Sequence, residues 1–138
     1  MLQTALREDA LAPTPGGFEL RVGLPWIRSM PLSSVEGLAM KVDGAPVAPE
    51  DLEVVLGARQ VPAEALRNEA GWWFIQDRLV LAVRRHLSGG PHTVAAGFRL
   101  MVPYLQAGPD SPLVLPFHLE ARLELDGAPV ASVSRDVA

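Results

Sequence analysis

Phe18-Glu19-Leu20-Arg21-Val22 decides the fold: Phe18, Leu20 and Val22 alternate with Glu19 and Arg21, so an extended chain presents one apolar and one solvated face. Downstream, Val35 to Val42 places Leu38, Met40 and Val42 on one side. It ends in Asp43-Gly44, a dipeptide whose tolerance of positive φ favours a tight hairpin turn, with the return beginning at Val47. Leu52 to Leu56, Trp72 to Ile75, Arg78 to Val83, Thr93 to Val102 and Phe117 to Leu125 are further β-branched, aromatic or alternating runs. Thirteen prolines and twelve glycines punctuate them and leave no room for long helices. Val61 to Arg67, with Pro62 pre-set for an N-terminal position, carries the only helical turn expected.

Short strands at this spacing, with no long helices between them, predict an all-β fold: an antiparallel β-sandwich, Greek-key or immunoglobulin-like, with at most one short helical turn. A length of 138 residues suits a single sandwich domain over residues 1–138, with 1–14 as an arm free to be flexible. Tyr104 to Pro116, rich in proline, reads as a long surface loop. Leu125-Asp126-Gly127-Ala128-Pro129-Val130 copies Val42-Asp43-Gly44-Ala45-Pro46-Val47 with one apolar exchange. A match over only six positions indicates the same hairpin chemistry used twice, since a structural repeat would extend over about twenty residues or more.

Apolar residues at 49% and charged residues at 20% supply a core and exclude disorder driven by low hydrophobicity. A net charge of −4 with scattered basic residues gives phosphates no attractive field, so nucleic acid is not an expected partner. No cysteine is present, hence neither a disulfide framework nor a thiolate metal site. Met1 to Pro13 lacks the uninterrupted apolar run of a signal peptide or membrane span, and the expected compartment is the cytoplasm.

No catalytic set can be read. His86, His92 and His118 lack the offsets that align two imidazoles on one strand or helix face, so no metal site is predicted. His92, after Gly89-Gly90-Pro91, reads as a solvated residue at the start of a strand rather than as a base at a loop edge. His118 reads as a solvent-facing or interface residue. Glu36, Glu53, Glu69, Glu120 and Glu124 occupy the alternating positions of polar sheet faces. There is no phosphate loop, nucleophile elbow or dinucleotide fingerprint.

Two features exceed what a core requires. Leu24-Pro25-Trp26-Ile27-Arg28-Ser29-Met30-Pro31-Leu32-Ser33-Ser34 interrupts the strand pattern with large side chains between prolines. Trp and Arg on a stiffened loop are residue types enriched at binding hot spots, although Trp26 could equally cap the sandwich. In Trp72-Trp73-Phe74, alternation sends Trp73 to the face opposite Trp72 and Phe74, leaving a large aromatic outside the core for a protein partner or a sugar.

The order of these pieces carries a resemblance: Gly17-Phe18-x-Leu20-x-Val22, then Pro25-Trp26-x-Arg28-Ser29-x-Pro31-Leu32-Ser33, Val35-Glu36-Gly37-Leu38, Val42-Asp43-Gly44-x-Pro46-Val47, Gly90-Pro91-His92-Thr93-Val94 and Met101-Val102-Pro103-Tyr104. The chain resembles the small β subunit of bacterial C-glycoside deglycosidases. The resemblance implies a β-sandwich partnered by a TIM-barrel α subunit that binds a divalent metal such as manganese, with no cofactor on this chain. It implies a lyase acting on 3-keto C-glycosides with aglycones such as flavonoids. A ketone at C3 acidifies the C2 proton, so a base removes it and the aglycone leaves from C1. Pro25, Trp26, Arg28, Pro31 and Tyr104 would then form a partner interface or active-site rim, with Trp26 and Arg28 as anchors. The rival reading is a stand-alone carbohydrate-binding or structural module, with Trp72 or Trp73 against a sugar ring.

Overall fold

The computed structural model describes residues 5–108, 111–125 and 135–137. Two sheets pack face to face as a sandwich. The first has the order β1 (Leu11–Thr14), β2 (Gly17–Gly23), β9 (Asp77–Val83), β6 (Leu52–Leu56), β7 (Arg59–Pro62). The second has the order β11 (Ser111–Glu124), β10 (Pro91–Gly108), β4 (Val35–Val42), β5 (Ala45–Pro46). A two-stranded ribbon pairs β3 (Met30–Pro31) with β8 (Trp72–Trp73). β2 takes one edge of β9 along its length, so β12 (Arg135–Asp136), parallel to the start of β9, fills the opposite edge that β6 leaves uncovered.

Alternation works as the sequence requires. In β2, Phe18, Leu20 and Val22 are buried while their neighbours are half-buried. They meet Val54, Leu81 and Val83 of their own sheet and Met40, Val94, Ala96, Phe98 and Leu100 of the facing one in a single core. Each fully buried aliphatic side chain contributes about 1.5–3 kcal/mol through apolar area removed from water.

The β4–β5 hairpin turns through Asp43 at φ 50° and Gly44 at φ 84°, the twice-positive geometry that Asp-Gly favours. β4 carries a bulge: Glu36 pairs with Arg99 and Ala39 with Gly97, leaving Gly37 and Leu38 opposite Phe98. Gly37 lies at φ 62°, with the Arg99 guanidinium 2.9 Å from where a Cβ would stand.

Three expectations are corrected. The described part of Tyr104 to Pro116 is strand rather than loop, since β10 runs to Gly108 and β11 starts at Ser111, paired antiparallel with register shifts between Val102 and Gly108. Pro112 and Pro116 are tolerated because they lie on the edge strand β11, and Pro103, just before the stretch, falls in an irregular register beyond the reach of β4. Trp72 to Ile75 is a strand only at Trp72–Trp73, because a turn closes from Phe74 O to Asp77 N–H at 2.9 Å. Among the described residues the helical content is three 3₁₀ segments, the expected one at Ala63–Asn68 and single turns at Leu32–Ser34 and Pro49–Asp51. The Leu125 to Val130 copy lies, after Leu125, outside the described residues. Among the described residues no helix is long and apolar enough to cross a membrane.

Candidate partner-docking site

The Pro25–Pro31 loop and the Trp72–Phe74 run, separate in sequence, are brought together by the β3–β8 ribbon. Met30 pairs with Trp73 and Pro31 with Trp72. The ladder is prolonged on one side by Ile75 N–H donating to Ser29 Oγ at 2.8 Å and on the other by Leu32 N–H donating to Gly71 O at 3.0 Å. Alternation turns Met30 and Trp73 inward, both fully buried, and Trp72 outward.

Trp73 fixes the ribbon to the sandwich. Its indole N–H donates to Asp77 O at 3.1 Å, and its ring lies 5.7 Å from that of Phe98. Phe98 contacts Phe117 at 5.7 Å, and Phe117 meets Trp26 edge-on at 6.4 Å. Trp26 is therefore half-buried as the end of an aromatic row, and Pro25 behind it is buried. Ile27 and Arg28 are exposed, and Pro31 is half-buried. Tyr104 lies on the β10 backbone, and its side chain is outside the described residues. Trp73 presents no surface to a sugar or partner; the accessible ring is Trp72, stacked on Phe74 at 6.4 Å and 20°. Sequence reasoning did not single out Ile75. Its apolar side chain standing next to Gln76-Asp77 was the available signal.

His92 differs from its sequence reading: it is 7% exposed. Its Nδ1 lies 2.7 Å from Asp43 Oδ2 and its Nε2 2.7 Å from Ser88 O. Both partners are acceptors, so the doubly protonated ring satisfies both contacts, and in that state it has no lone pair for base catalysis or a metal. Asp43 Oδ1 also accepts Thr93 N–H at 2.9 Å, tying the β4–β5 turn to the start of β10. The hydrogen bond to Asp43, helped by the Ser88 carbonyl, raises His92 above the ordinary imidazole value, against opposing desolvation and Arg122. The His92 and Thr93 hydrogen bonds hold the Asp43 carboxyl below its ordinary range.

The clasp stabilises the fold fully below about pH 6.5, the unfolded imidazole value, and its contribution is lost as pH rises through the higher folded value. On the acid side it is lost as pH falls through the depressed Asp43 value. Thermal melts from pH 5 to 9 are expected to show a falling alkaline limb that Asp43→Asn flattens. An unchanged limb in that variant would remove His92 as its source.

Among the described residues no three His, Asp or Glu side chains are grouped to hold a metal. A cavity of about 430 Å³ beside the β4 bulge is lined by Val35, Leu38, Leu52, Arg67 and Arg99, with Glu36 and Glu64 on the same walls. The carboxylates offset the two guanidiniums, so the cavity has no net charge with which to attract an ion.

Residues 3–104 match the family described as C-glycoside deglycosidase beta subunit. The chain is 32% identical over 100 residues to the 3'-dehydrocarminate deglycosidase beta subunit of a Microbacterium species, covering 71% of this chain and 76% of the relative. It is 33% identical over 104 residues to the C-glycoside deglycosidase beta subunit of Arthrobacter globiformis, covering 72% and 79%. A third relative, from Microbacterium trichothecenolyticum and of the same description, is 31% identical over 88 residues, covering 62% and 67%. All of β3 and β8 lies inside the family match.

Proposed function

Since the chain belongs to the C-glycoside deglycosidase beta subunit family, we propose that it is the non-catalytic β subunit of a heteromeric lyase that cleaves the carbon–carbon bond of 3-keto C-glycosides. The observation that carries this reading is the family match across 3–104, because a β subunit implies an α subunit. A relative named for a 3'-dehydro substrate supports a sugar already oxidised at C3, and an aglycone such as a flavonoid is part of the same proposal.

In this reading the α subunit is a TIM barrel holding a divalent metal such as manganese, and the complex works in the bacterial cytoplasm. The metal and the chemistry are assigned in this reading to the α subunit, with no step routed through this chain. Its work is to stabilise and complete the partner's site, with Trp26, Arg28, Pro31 and Tyr104 at the rim and Pro25 buried behind them.

Size-exclusion chromatography of each chain alone and after co-expression tests the assignment. One stable complex is expected, with turnover of a 3-keto C-glucoside by the complex and none by this chain alone. Separate elution of the two chains would overturn it.

A further inference from the structure

Ile27, Trp72, Phe74 and Ile75 stand 45–59% exposed, an unusual state for four large apolar side chains on adjoining backbone. Trp72 stacks on Phe74, and the Ser29 to Ile75 hydrogen bond holds the stretch that carries Ile27 and Arg28 against the turn that follows Trp73. The four side chains thus belong to one surface.

Resting on the β-subunit reading, we infer that the Ile27–Trp72–Phe74–Ile75 patch is the hydrophobic centre of the surface on which the α subunit docks. Trp26 is a strut behind it rather than an anchor. Its ring is engaged with Phe117, and through Phe98 that row reaches Trp73 beneath the patch.

Three observations favour a protein of this kind as the occupant. The patch is rigid before binding, since its ribbon is fixed by buried Met30 and Trp73 and by the Phe74–Asp77 turn, which lowers the ordering cost of association. Its exposed area is on the order of 400 Å², whereas a stable interface needs roughly 800 Å² per partner, so it must be the centre of something larger. The extra surface is at hand. β4 ends its pairing with β10 at Val35 and Leu100, one 3₁₀ turn from β3, and the β10–β11 hairpin continues past that point. Val114, paired with Met101 just beyond Leu100, is also exposed. Patch and hairpin therefore leave the sandwich at the same end, where a second subunit can touch both.

The test measures affinity for the α subunit from the same organism by titration calorimetry, for wild type, Phe74→Asp, Ile27→Asp and the control Gln60→Asp on exposed β7. Melting curves and the oligomeric state of each variant are recorded alongside. Losses of about thirtyfold or more are expected for the two patch variants, with unchanged melting, and a change within twofold for the control. Wild-type binding that both patch variants retain within threefold overturns the surface and leaves the β-subunit reading standing. No wild-type binding overturns both. A chain that dimerises through the patch, or that binds a glycan through Trp72, with α affinity untouched in the variants, also overturns the inference.

Discussion

Trp73→Ala is expected to destabilise the protein by about 4 kcal/mol and to lower Tm by roughly 10–15 °C. The side chain is fully buried between the β3–β8 ribbon and the sandwich, and truncation to alanine leaves a cavity against Phe98 that rigid strands cannot collapse. The loss is compounded at Asp77, whose carbonyl accepts the indole N–H at 3.1 Å and would lose that partner. Trp73→Phe, which keeps most of the volume and drops the donor, should cost about 1–3 kcal/mol. Trp72→Ala, on the outward face, should stay within about 1 kcal/mol of wild type while weakening assembly. Chemical denaturation of the three variants separates these roles. Equal stability of Trp73→Ala and Trp72→Ala would mean that the ribbon is not held from beneath.

The contrast between these adjacent tryptophans was legible in the sequence, because period-two alternation needs only local backbone geometry. The same holds for β2, β6 and the Met40–Val42 end of β4, whereas the Gly37–Leu38 bulge shifts Val35 onto the buried side out of phase with the run. What local pattern could not give was the partner of each segment. The Pro25–Pro31 loop and Trp72 were separate oddities until the Met30–Trp73 pairing joined them. His92 looked solvated because its burial depends on Asp43, 49 residues away, folding back across a hairpin. The proline-rich stretch misled for a related reason: proline forbids a central strand, but an edge strand makes no demand on the missing N–H, and edge position is a property of the whole sheet.

Gly17→Ala is expected to cost roughly 3 kcal/mol, although its effect is invisible from composition. The Val83 carbonyl sits where the new methyl would go, and the Arg85 amide nitrogen lies 2.9 Å away. Both obstacles are backbone, so no rotamer change relieves the clash, and β2 must move away from β9 at the Phe18–Val83 pair. That pair closes one end of the β2–β9 ladder with both side chains in the core, Phe18 fully buried. Gly16→Ala is the matched control: nothing lies within 4 Å of its added Cβ, so it should be neutral within about 1 kcal/mol. The displacement also bears on assembly, since β2 runs through Gly23 and Leu24 directly into the loop that carries Ile27. Gly17→Ala should therefore lose α-subunit affinity together with stability, whereas Phe74→Asp should lose affinity alone. Identical melting of Gly16→Ala and Gly17→Ala would show that β9 does not approach β2 this closely, and the link from strand to docking loop would fail with it.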